Sequence, residues 1–316
     1  MAINLGKFSF GKKGILGIDL GSYSIKVAEV ESGSPPVLRS YGQVKLPEGG
    51  LWSADEEKLS DLAQKISSLL KNLKVKHKKC VVSISSYTSI LKRLSLELSN
   101  EDDLDEVIRE EAEAHIPFDL EEVYFNYDIL NSEANQIDCV IAAARKDLVD
   151  NIVDFLASLK LDPIALTIDI VALSNLFEFV YSPEKDFVLV DLGFSKTSVM
   201  LWKEGGLWFY RDLSIGVQQS SDNKSINEDR IVTYINETLT FFEGEYNISV
   251  KDIYLCGGGC LSKSLVKKIK DVTQKEVNFL SYLGKFDINK VSLKAENYIN
   301  LTGKTAIGLA ITEISK

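Results

Sequence analysis

The sequence contains Ile18-Asp-Leu-Gly-Ser-Tyr-Ser-Ile-Lys-Val-Ala-Glu-Val-Glu-Ser-Gly33 and, 172 positions later, Val190-Asp-Leu-Gly-Phe-Ser-Lys-Thr-Ser-Val-Met-Leu-Trp-Lys-Glu-Gly205. In both stretches an apolar strand ends in Asp-Leu-Gly, a short polar turn follows, and a second strand runs to a glycine. This arrangement predicts a β-hairpin that carries one carboxylate and a tight backbone bend. Because the arrangement occurs twice, the chain is predicted to consist of two related halves.

The two turns have the composition of phosphate-binding loops. Gly21 and Gly193 allow the backbone N–H groups of the following residues to face an anion. Asp19 and Asp191 would repel a phosphate directly, so a carboxylate at each strand end indicates a divalent cation, or its waters, between them. A single Asp-x-Gly also describes many ordinary hairpins, whereas two copies in register are a more specific signal. The sequence therefore predicts that two facing turns bind one Mg-nucleotide.

Composition excludes several other classes of protein. The 316 residues, 45% of them apolar, suffice for two hydrophobic cores. The chain lacks an apolar run of membrane-helix length and a signal-peptide core, which predicts a cytoplasmic protein. A net charge of −10 disfavours a nucleic-acid partner, because phosphate-backbone binding requires a basic surface. The four cysteines lack the paired spacing of a zinc site, and Cys256 and Cys260 are interpreted as buried reduced thiols.

The periodicity of apolar residues gives both halves the same order of elements. The first half is predicted to have three strands, a helix that Ser53 can cap, and a fourth strand, at residues 15–21, 24–31, 36–46, 54–71 and 80–85. The second half repeats this order at residues 187–192, 196–203, 206–213, 226–244 and 252–256. Three strands, a helix and a strand, found twice, indicate an α/β protein with the duplicated actin-like (ribonuclease H-like) fold. A last helix over 303–312 is predicted to pack closely at the seam between the halves through Gly303, Ala306, Gly308 and Ala310.

Residues 86–160 interrupt the first half as an insertion. Strand, helix, strand, strand and helix are predicted there at residues 89–97, 100–115, 122–130, 137–144 and 146–160. The first of these helices is unusually acidic, and it is interpreted as a solvated face rather than as a site for a basic partner.

The sequence resembles the actin–Hsp70–sugar kinase superfamily. The resemblance rests on the two phosphate loops, on Gly257-Gly258-Gly259 after a strand, and on the small-residue helix near the C-terminus. An FtsA-type strand-helix-strand-strand subdomain stands in place of actin's own. Three segments resemble the PilM family of type IV pilus assembly proteins, and the Ile-Pro-Phe of the second is diagnostic: Phe8-Ser-Phe-Gly-Lys-Lys-Gly-Ile-Leu-Gly-Ile-Asp-Leu-Gly, Glu113-Ala-His-Ile-Pro-Phe-Asp-Leu-Glu-Glu-Val and Ala142-Ala-Ala-Arg-Lys-Asp. The resemblance covers nearly the whole chain and weakens over 216–227 and 274–300.

This resemblance implies a division of the chain into subdomains. A leader, subdomain 1A, the inserted subdomain 1C and the return to 1A are expected at 1–13, 14–85, 86–160 and 161–185. Subdomain 2A, a short subdomain 2B, the return to 2A and the seam helix of 1A are expected at 186–215, 216–251, 252–302 and 303–316.

The resemblance also implies a function. Members of the family bind ATP with Mg between the two halves, lie at the cytoplasmic face of the inner membrane, and hold the short N-terminal cytoplasmic tail of the membrane protein PilN. They are expected to assemble into a ring with other proteins of the pilus platform, and to be at most slow ATPases.

By motif position, the resemblance implies roles for individual residues. Phosphates would be contacted by the first loop at Gly21, Ser22, Tyr23 and Lys26, and by the second loop at Gly193, Ser195 and Lys196. Asp19 and Asp191 would hold the hydration shell of Mg. The Gly257, Gly258 and Gly259 bend would pass under the adenosine.

Two further assignments each allow two interpretations. Asp169, which with Asp191 is a candidate catalytic carboxylate, could orient an attacking water or could cap the helix over about 170–180. A groove for the PilN tail could be lined by side chains that could equally be ordinary sheet core: Leu91, Leu94, Leu96, Val123 and Phe125.

The chain departs from the family pattern at Phe194, whose ring could crowd the nucleotide or point into the core, and at Ile215-Gly-Val-Gln, which replaces a Gly-Gly pair. The alternatives to a nucleotide-binding pilus scaffold are therefore an FtsA-like membrane-associated filament protein, a sugar kinase of the same superfamily, and a degenerate actin-like scaffold that no longer binds nucleotide.

Overall fold

The computed structural model describes residues 3–4, 14–48, 50–51, 55–97, 103–133, 136–181, 186–218, 224–289, 291 and 296–314. The strands are β1 (Ile3–Asn4), β2 (Gly14–Leu20), β3 (Ser24–Glu31), β4 (Val37–Lys45), β5 (Lys79–Ile84), β6 (Ser89–Glu97), β7 (Val123–Glu133), β8 (Gln136–Arg145), β9 (Asp162–Ile168), β10 (Phe187–Leu192), β11 (Thr197–Lys203), β12 (Gly206–Leu213), β13 (Asp252–Cys256) and β14 (Glu276–Phe279). The helices are α1 (Glu56–Asn72), α2 (Leu104–Glu113), α3 (Lys146–Ser158), α4 (Asp169–Tyr181), α5 (Lys224–Glu245), α6 (Lys263–Thr273), α7 (Glu296–Thr302) and α8 (Lys304–Ile314).

Apart from the additional edge strand β1, two of the sheets have the same topology, which confirms the predicted duplication. The first sheet has the order β1-β9-β5-β2-β3-β4, and the second has the order β12-β11-β10-β13-β14. In each, the strand that ends in Asp-Leu pairs antiparallel with the next strand and parallel with the strand that follows the helix. The carboxyl ends of β2 and β10 therefore occupy equivalent places in the two halves.

The inserted subdomain has its own three-stranded sheet, of order β6-β8-β7. Strands β7 and β8 are longer than predicted because their antiparallel pairing continues through Ser132–Ile137 and Glu133–Gln136. Helix α2 begins at Leu104 rather than near residue 100, since Asp103 accepts a hydrogen bond from the backbone N–H of Asp105 at 2.9 Å.

Acidic side chains of α2 cover its solvent face, while Ile108 and Ala112 are buried against the sheet. The described part of this helix therefore exposes its acidic side chains, and their interpretation as a solvated face rather than as a site for a basic partner stays a prediction.

Helix α1 also begins at an aspartate. Its N-cap is Asp55, whose side chain accepts a hydrogen bond from the backbone N–H of Lys58 at 2.9 Å. Ser53, the predicted cap, lies outside the described residues, as does most of the predicted leader 1–13. From that leader, β1 pairs antiparallel with the outer edge of β9.

Helices α4 and α8 form the seam between the halves. A Cβ atom on Gly17 of β2 would lie 1.7 Å from the carbonyl oxygen of Ala306, and a Cβ on Gly308 would lie 2.2 Å from that of Ala172 in α4. Helix α8 therefore touches backbone on two sides, as the small residues of its sequence predicted. One hydrophobic core extends across the seam and includes Phe177 of α4, Trp202 of β11 and Ile307 of α8.

All four cysteines are buried and free, which confirms the interpretation of Cys256 and Cys260 as core residues. Burial raises the pKa of Cys260 to about 12, so its reactive thiolate form is disfavoured. Within the described part of the chain, the helices are either too short or too polar to cross a membrane.

Candidate functional site

The two Asp-Leu-Gly turns face each other across the cleft between the halves. The Tyr23 ring of the first turn lies 5.0 Å, centroid to centroid, from the Phe194 ring of the second. The structure thus brings together the two predicted loops, and it directs Phe194 toward the opposite loop rather than into the core. Tyr23, Ser22 and Ser195 are exposed and accessible to a ligand.

The first loop carries an ion pair at its base. Lys26 donates a hydrogen bond to Oδ2 of Asp19 at 2.8 Å, and Ser83 donates one to Oδ1 at 3.3 Å. Burial alone would raise the pKa of Asp19, but the charges of Lys26 and Lys304 together with these hydrogen bonds outweigh that effect and lower it. Asp19 is therefore ionised at neutral pH, and Lys26 lies beside the turn where an anion could bind.

The second loop is fixed by backbone contacts to the segment that follows β12. The N–H of Gly193 donates to the carbonyl of Lys196 at 3.0 Å, and the N–H of Val217 donates to the carbonyl of Gly193 at 3.0 Å. A Cβ on Gly216 would lie 2.3 Å from the carbonyl oxygen of Phe194. The segment Ile215-Gly-Val-Gln, which replaces the Gly-Gly pair of the family, thus still has a glycine where it contacts the second loop.

Lys196 ties the second loop to the first half of the molecule. Its Nζ lies 2.9 Å from Oδ2 of Asp169 and 3.6 Å from Oδ2 of Asp212. It also hydrogen-bonds to the hydroxyl of Ser86, which donates in turn to Asp212 at 2.7 Å. Burial disfavours the charged form of Lys196, but the carboxylates of Asp169 and Asp212 outweigh burial and raise its pKa. We call these four side chains the Lys196 cluster.

Asp169 is fully engaged within this cluster. Besides the ion pair with Lys196, its Oδ1 accepts from the backbone N–H groups of Ile170 at 2.8 Å and Ser86 at 3.0 Å. Asp169 is the first residue of α4, where a carboxylate is favourable at the helix N-terminus, but its side chain accepts from Ile170 and Ser86 and not from the N–H groups two or three residues on that an N-cap binds.

A second buried ion pair, between Lys304 and Asp191, lies beneath the loops. Nζ of Lys304, the first residue of α8, lies 2.9 Å from Oδ2 of Asp191, while Oδ1 of Asp191 is buried without a hydrogen-bond partner in the described part of the chain. Gly257, at φ 92°, passes so close that a Cβ there would lie 2.4 Å from that oxygen. Burial disfavours the charge on Lys304, but Asp191 outweighs it and raises the pKa.

A cavity of about 240 Å³ opens beside the Gly258–Leu261 turn. Its walls come from the segment after β12, from the first half of α5 and from the glycine turn: Gly216, Val217, Gln218, Asn227, Glu228, Ile231, Gly258, Gly259, Leu261 and Ser262. Glu228 is the buried acid of this cavity, and it accepts hydrogen bonds from Ser262 at 2.9 Å and Ser264 at 2.8 Å.

The residues present fit a nucleotide. The cavity combines apolar walls with a buried carboxylate, which suits a base and a sugar hydroxyl. Lys26 and the exposed turns suit phosphates, and the unpartnered oxygen of Asp191 suits one water of a hydrated Mg²⁺. Among the described residues, no group of three or more His, Cys, Asp and Glu side chains is arranged to bind a metal ion directly. A divalent cation held through water by Asp19 and Asp191 stays a prediction.

Sequence reasoning did not identify Lys304, Asp212, Ser86 or Glu228. A lysine inside the small and apolar run Gly303-Lys-Thr-Ala-Ile-Gly-Leu-Ala is a visible signal, since a charge in a buried helix requires a partner. Asp212 is the next-to-last residue of β12, and Glu228 follows directly after the segment 216–227 in which the resemblance weakens, so neither lies in a motif that would mark it.

The residues predicted to line a partner groove are mostly core. Leu94, Leu96 and Val123 are buried beneath α2, and Phe125 packs at the edge of the same cluster. Leu91 packs against the core shared by the halves. The physical reason is that α2 covers the apolar sheet face, so a peptide could reach these side chains only by displacing that helix.

An exposed aromatic surface lies nearby, where the insertion joins the first half. Ser89 pairs with Ala144 and Val123 pairs with Arg145, so the start of β6, the start of β7 and the end of β8 share one edge. At this edge Tyr87 is 66% exposed and Phe118 is 40% exposed, and the guanidinium of Arg145 lies 5.6 Å from the Phe118 ring. We call Tyr87, Phe118 and Arg145 the junction surface; two of the three family-like segments meet there.

Comparisons with known proteins concern the family and the fold. A family model described as type IV pilus assembly protein PilM matches residues 17–228. A structure of a PilM–PilN type IV pilus biogenesis complex contains a chain with a TM-score of 0.83 and 22% identity, and the match covers 96% of this chain and 99% of that one. A Bacteroides thetaiotaomicron protein of actin-like ATPase fold and unknown function gives a TM-score of 0.53 at 12% identity, with 87% of this chain and 94% of that one covered. These likenesses confirm the actin-like fold.

Proposed function

Because the chain belongs to the PilM family of type IV pilus assembly proteins, we propose that it is an actin-like, nucleotide-binding scaffold of the type IV pilus inner-membrane platform. The observation that supports this most directly is the opposition of Tyr23 and Phe194, which sets the two Asp-Leu-Gly turns on either side of one cleft. In this role the protein lies at the cytoplasmic face of the inner membrane and contributes to a ring with other platform proteins.

ATP is the proposed ligand of the cleft. Its base and sugar would occupy the cavity beside Gly258 and Gly259, and Glu228 would accept a hydrogen bond from a sugar hydroxyl. Lys26, together with backbone N–H groups of the two turns, would bind phosphates. Mg²⁺, when bound, would neutralise phosphate charge and fix the orientation of the phosphates, with Asp19 and Asp191 holding its waters.

We propose that the nucleotide acts chiefly as a structural ligand. Both oxygens of Asp169 are bound within the chain, so this residue supports the position of the second loop through Lys196. Asp191 remains the other candidate carboxylate, but its Oδ2 is bound to Lys304 and its unpartnered Oδ1 is buried against Gly257, so it could act on water at the phosphates only after a local movement. ATP turnover is therefore expected to be slow at most. A ligand bound across both halves would stabilise one relative orientation of them.

A substitution at Gly258 tests the nucleotide site. Gly258 lines the cavity, and a Cβ there would meet no other atom within 4 Å, so Gly258→Leu would fill the cavity without disturbing the fold. We expect ATP affinity, measured by isothermal titration calorimetry, to fall at least about tenfold, equivalent to about 1.4 kcal/mol of binding free energy.

Gly284→Leu is the matched control, since Gly284 is equally uncrowded but does not line the cavity. Both variants should melt at the wild-type temperature. Unchanged ATP binding by Gly258→Leu would place the nucleotide elsewhere. A wild-type protein that binds no ATP would instead support the degenerate scaffold.

The proposed partner is the N-terminal cytoplasmic tail of PilN. The junction surface suits such a segment, because exposed aromatic rings offer apolar contact and Arg145 offers a cation beside one of them. It replaces the buried leucines of β6 as the proposed groove.

Peptide binding tests the junction surface. We expect Phe118→Ser to weaken binding of a fluorescent peptide with the sequence of the PilN tail by about tenfold, the loss of about 1.4 kcal/mol of contact energy. Phe279→Ser is the control, because Phe279 is similarly exposed, at 47%, but lies on edge strand β14 of the other half. Equal anisotropy titrations for both variants would exclude the junction surface, and no binding by any form in any nucleotide state would contradict PilN as partner.

A further inference from the structure

Lys304 is buried beneath the two loops of the proposed nucleotide site. Its side chain is 8% exposed, and its ammonium group is bound to Asp191 at 2.9 Å and lies 3.4 Å from the hydroxyl of Thr305. Its charge also acts on Asp19, the carboxylate of the opposite loop. The ammonium group of Lys304 thus forms an ion pair with Asp191 and also favours the charged form of Asp19. These are the two carboxylates for which the sequence predicted a divalent ion.

The backbone holds this lysine in place. Lys304 begins α8 directly after α7, and the carbonyl of Leu301 in α7 accepts a hydrogen bond from the N–H of Gly257 at 3.0 Å. Gly257 in turn approaches Asp191 too closely to carry a side chain. The start of α8, the glycine turn and the end of β10 are therefore joined at one point, and the ammonium group can leave Asp191 only by movement of its own side chain.

We propose that Lys304 is a tethered cation that competes with Mg²⁺ for Asp191, and that it thereby reduces the dependence of nucleotide binding on Mg²⁺. This inference rests on the proposed nucleotide site. Two positive charges cannot both lie close to one carboxylate without repulsion in a place that water hardly reaches. Any hydrated divalent ion at Asp191 must therefore either displace Lys304 or bind weakly through the remaining oxygen.

Charge accounting supports the competition. Asp19 is paired with Lys26 and Asp191 with Lys304, so each loop carboxylate is already neutralised in the structure. A phosphate group that attracts Lys26 would free Asp19 for the waters of a cation. A bound phosphate would not free Asp191 from Lys304 in the same way. Lys304 belongs to α8, which lies beneath the loops, and not to a loop that faces the ligand.

Thermal unfolding without nucleotide tests the competition directly. In Lys304→Met, Asp191 loses its cation, and Mg²⁺ alone should then raise the melting temperature by about 3 °C or more, the size expected for a ligand well above its dissociation constant. Wild type should show no such shift, and neither should Lys304→Met combined with Asp191→Asn. If Lys304→Met does not fold, Lys304→Gln, which keeps a hydrogen-bond donor without the charge, serves the same test.

Titration of ATP gives a second readout. The ratio of the dissociation constants measured in chelator and in Mg²⁺ should be at least about tenfold larger for the variant than for wild type. No Mg²⁺-dependent melting shift in either variant, or the same shift after Asp191→Asn, would overturn the inference. If the ratio of the two ATP dissociation constants were the same in wild type and variant, the competition between Lys304 and Mg²⁺ would be overturned, but the proposed nucleotide site would not. Failure of every form to bind ATP would contradict the proposed function, and a Mg²⁺ shift confined to the Lys304 variants would still support the competition.

Discussion

Lys196→Met is expected to lower the free energy of unfolding by about 3–5 kcal/mol, the range found when one partner of a buried ion pair is removed. The variant leaves Asp169 and Asp212 near each other without a cation, where each side chain is at most one-fifth exposed. It also takes away the ammonium group that hydrogen-bonds to Ser86. Urea-induced unfolding, followed by circular dichroism, measures the loss.

The size of this effect follows from where the cluster lies. Lys196 is in the second half, whereas Asp169 and Ser86 belong to the first, so the ion pair crosses the cleft. Adding Asp169→Asn to Lys196→Met removes one of the two unpaired charges and should recover part of the loss. Lys65→Met, which breaks an exposed ion pair on α1, is the control and should change stability little. Wild-type stability in Lys196→Met would mean that the cluster does not hold the halves together.

Sequence periodicity predicted the hairpins and the order of the strands because both are local. An apolar run that ends in Asp-Leu-Gly specifies a strand and a bend wherever it occurs, and its recurrence specifies the duplicated fold. The ion pairs could not be predicted in this way, since their partners are far apart along the chain. Asp191 meets Lys304, and Lys196 meets Asp169, only once the two sheets and the seam helix have packed.

The predicted groove failed for a related reason. The alternation of Val123 and Phe125 with polar neighbours indicates that one face of a strand is apolar. It does not indicate whether a helix of the same chain or a partner peptide covers that face. Here α2 covers it, with Ile108 and Ala112 toward the sheet. Only the structure shows which side chains are exposed, and for this reason we propose the junction surface around Phe118 as the partner surface instead.

Gly17→Ala is expected to destabilise the protein by about 3 kcal/mol or more, at the upper end of the cost of overpacking. The added methyl group would lie 1.7 Å from the carbonyl oxygen of Ala306, which is backbone and cannot turn aside as a side chain could. Helix α8 would have to move away from β2. Its other side is already in contact with α4, where Gly308 meets the carbonyl of Ala172, so the helix has no free space to enter. Chemical denaturation measures the difference.

A glycine-to-alanine substitution where the added methyl group meets no other atom is the control for Gly17→Ala. It shows how much of the change in stability comes from replacing glycine alone. Gly244 is exposed near the end of α5, and a Cβ there would meet nothing within 4 Å. Gly244→Ala should therefore be neutral or stabilise by about 0.5–1 kcal/mol, because alanine favours a helix more than glycine does. Because α8 also carries Lys304 at its first residue, a helix displaced by Gly17→Ala should take the ammonium group away from Asp191 as well. If Gly17→Ala were as stable as Gly244→Ala, α8 could shift on β2 without cost. The close packing of the seam would then not be the feature that holds Lys304 beside Asp191.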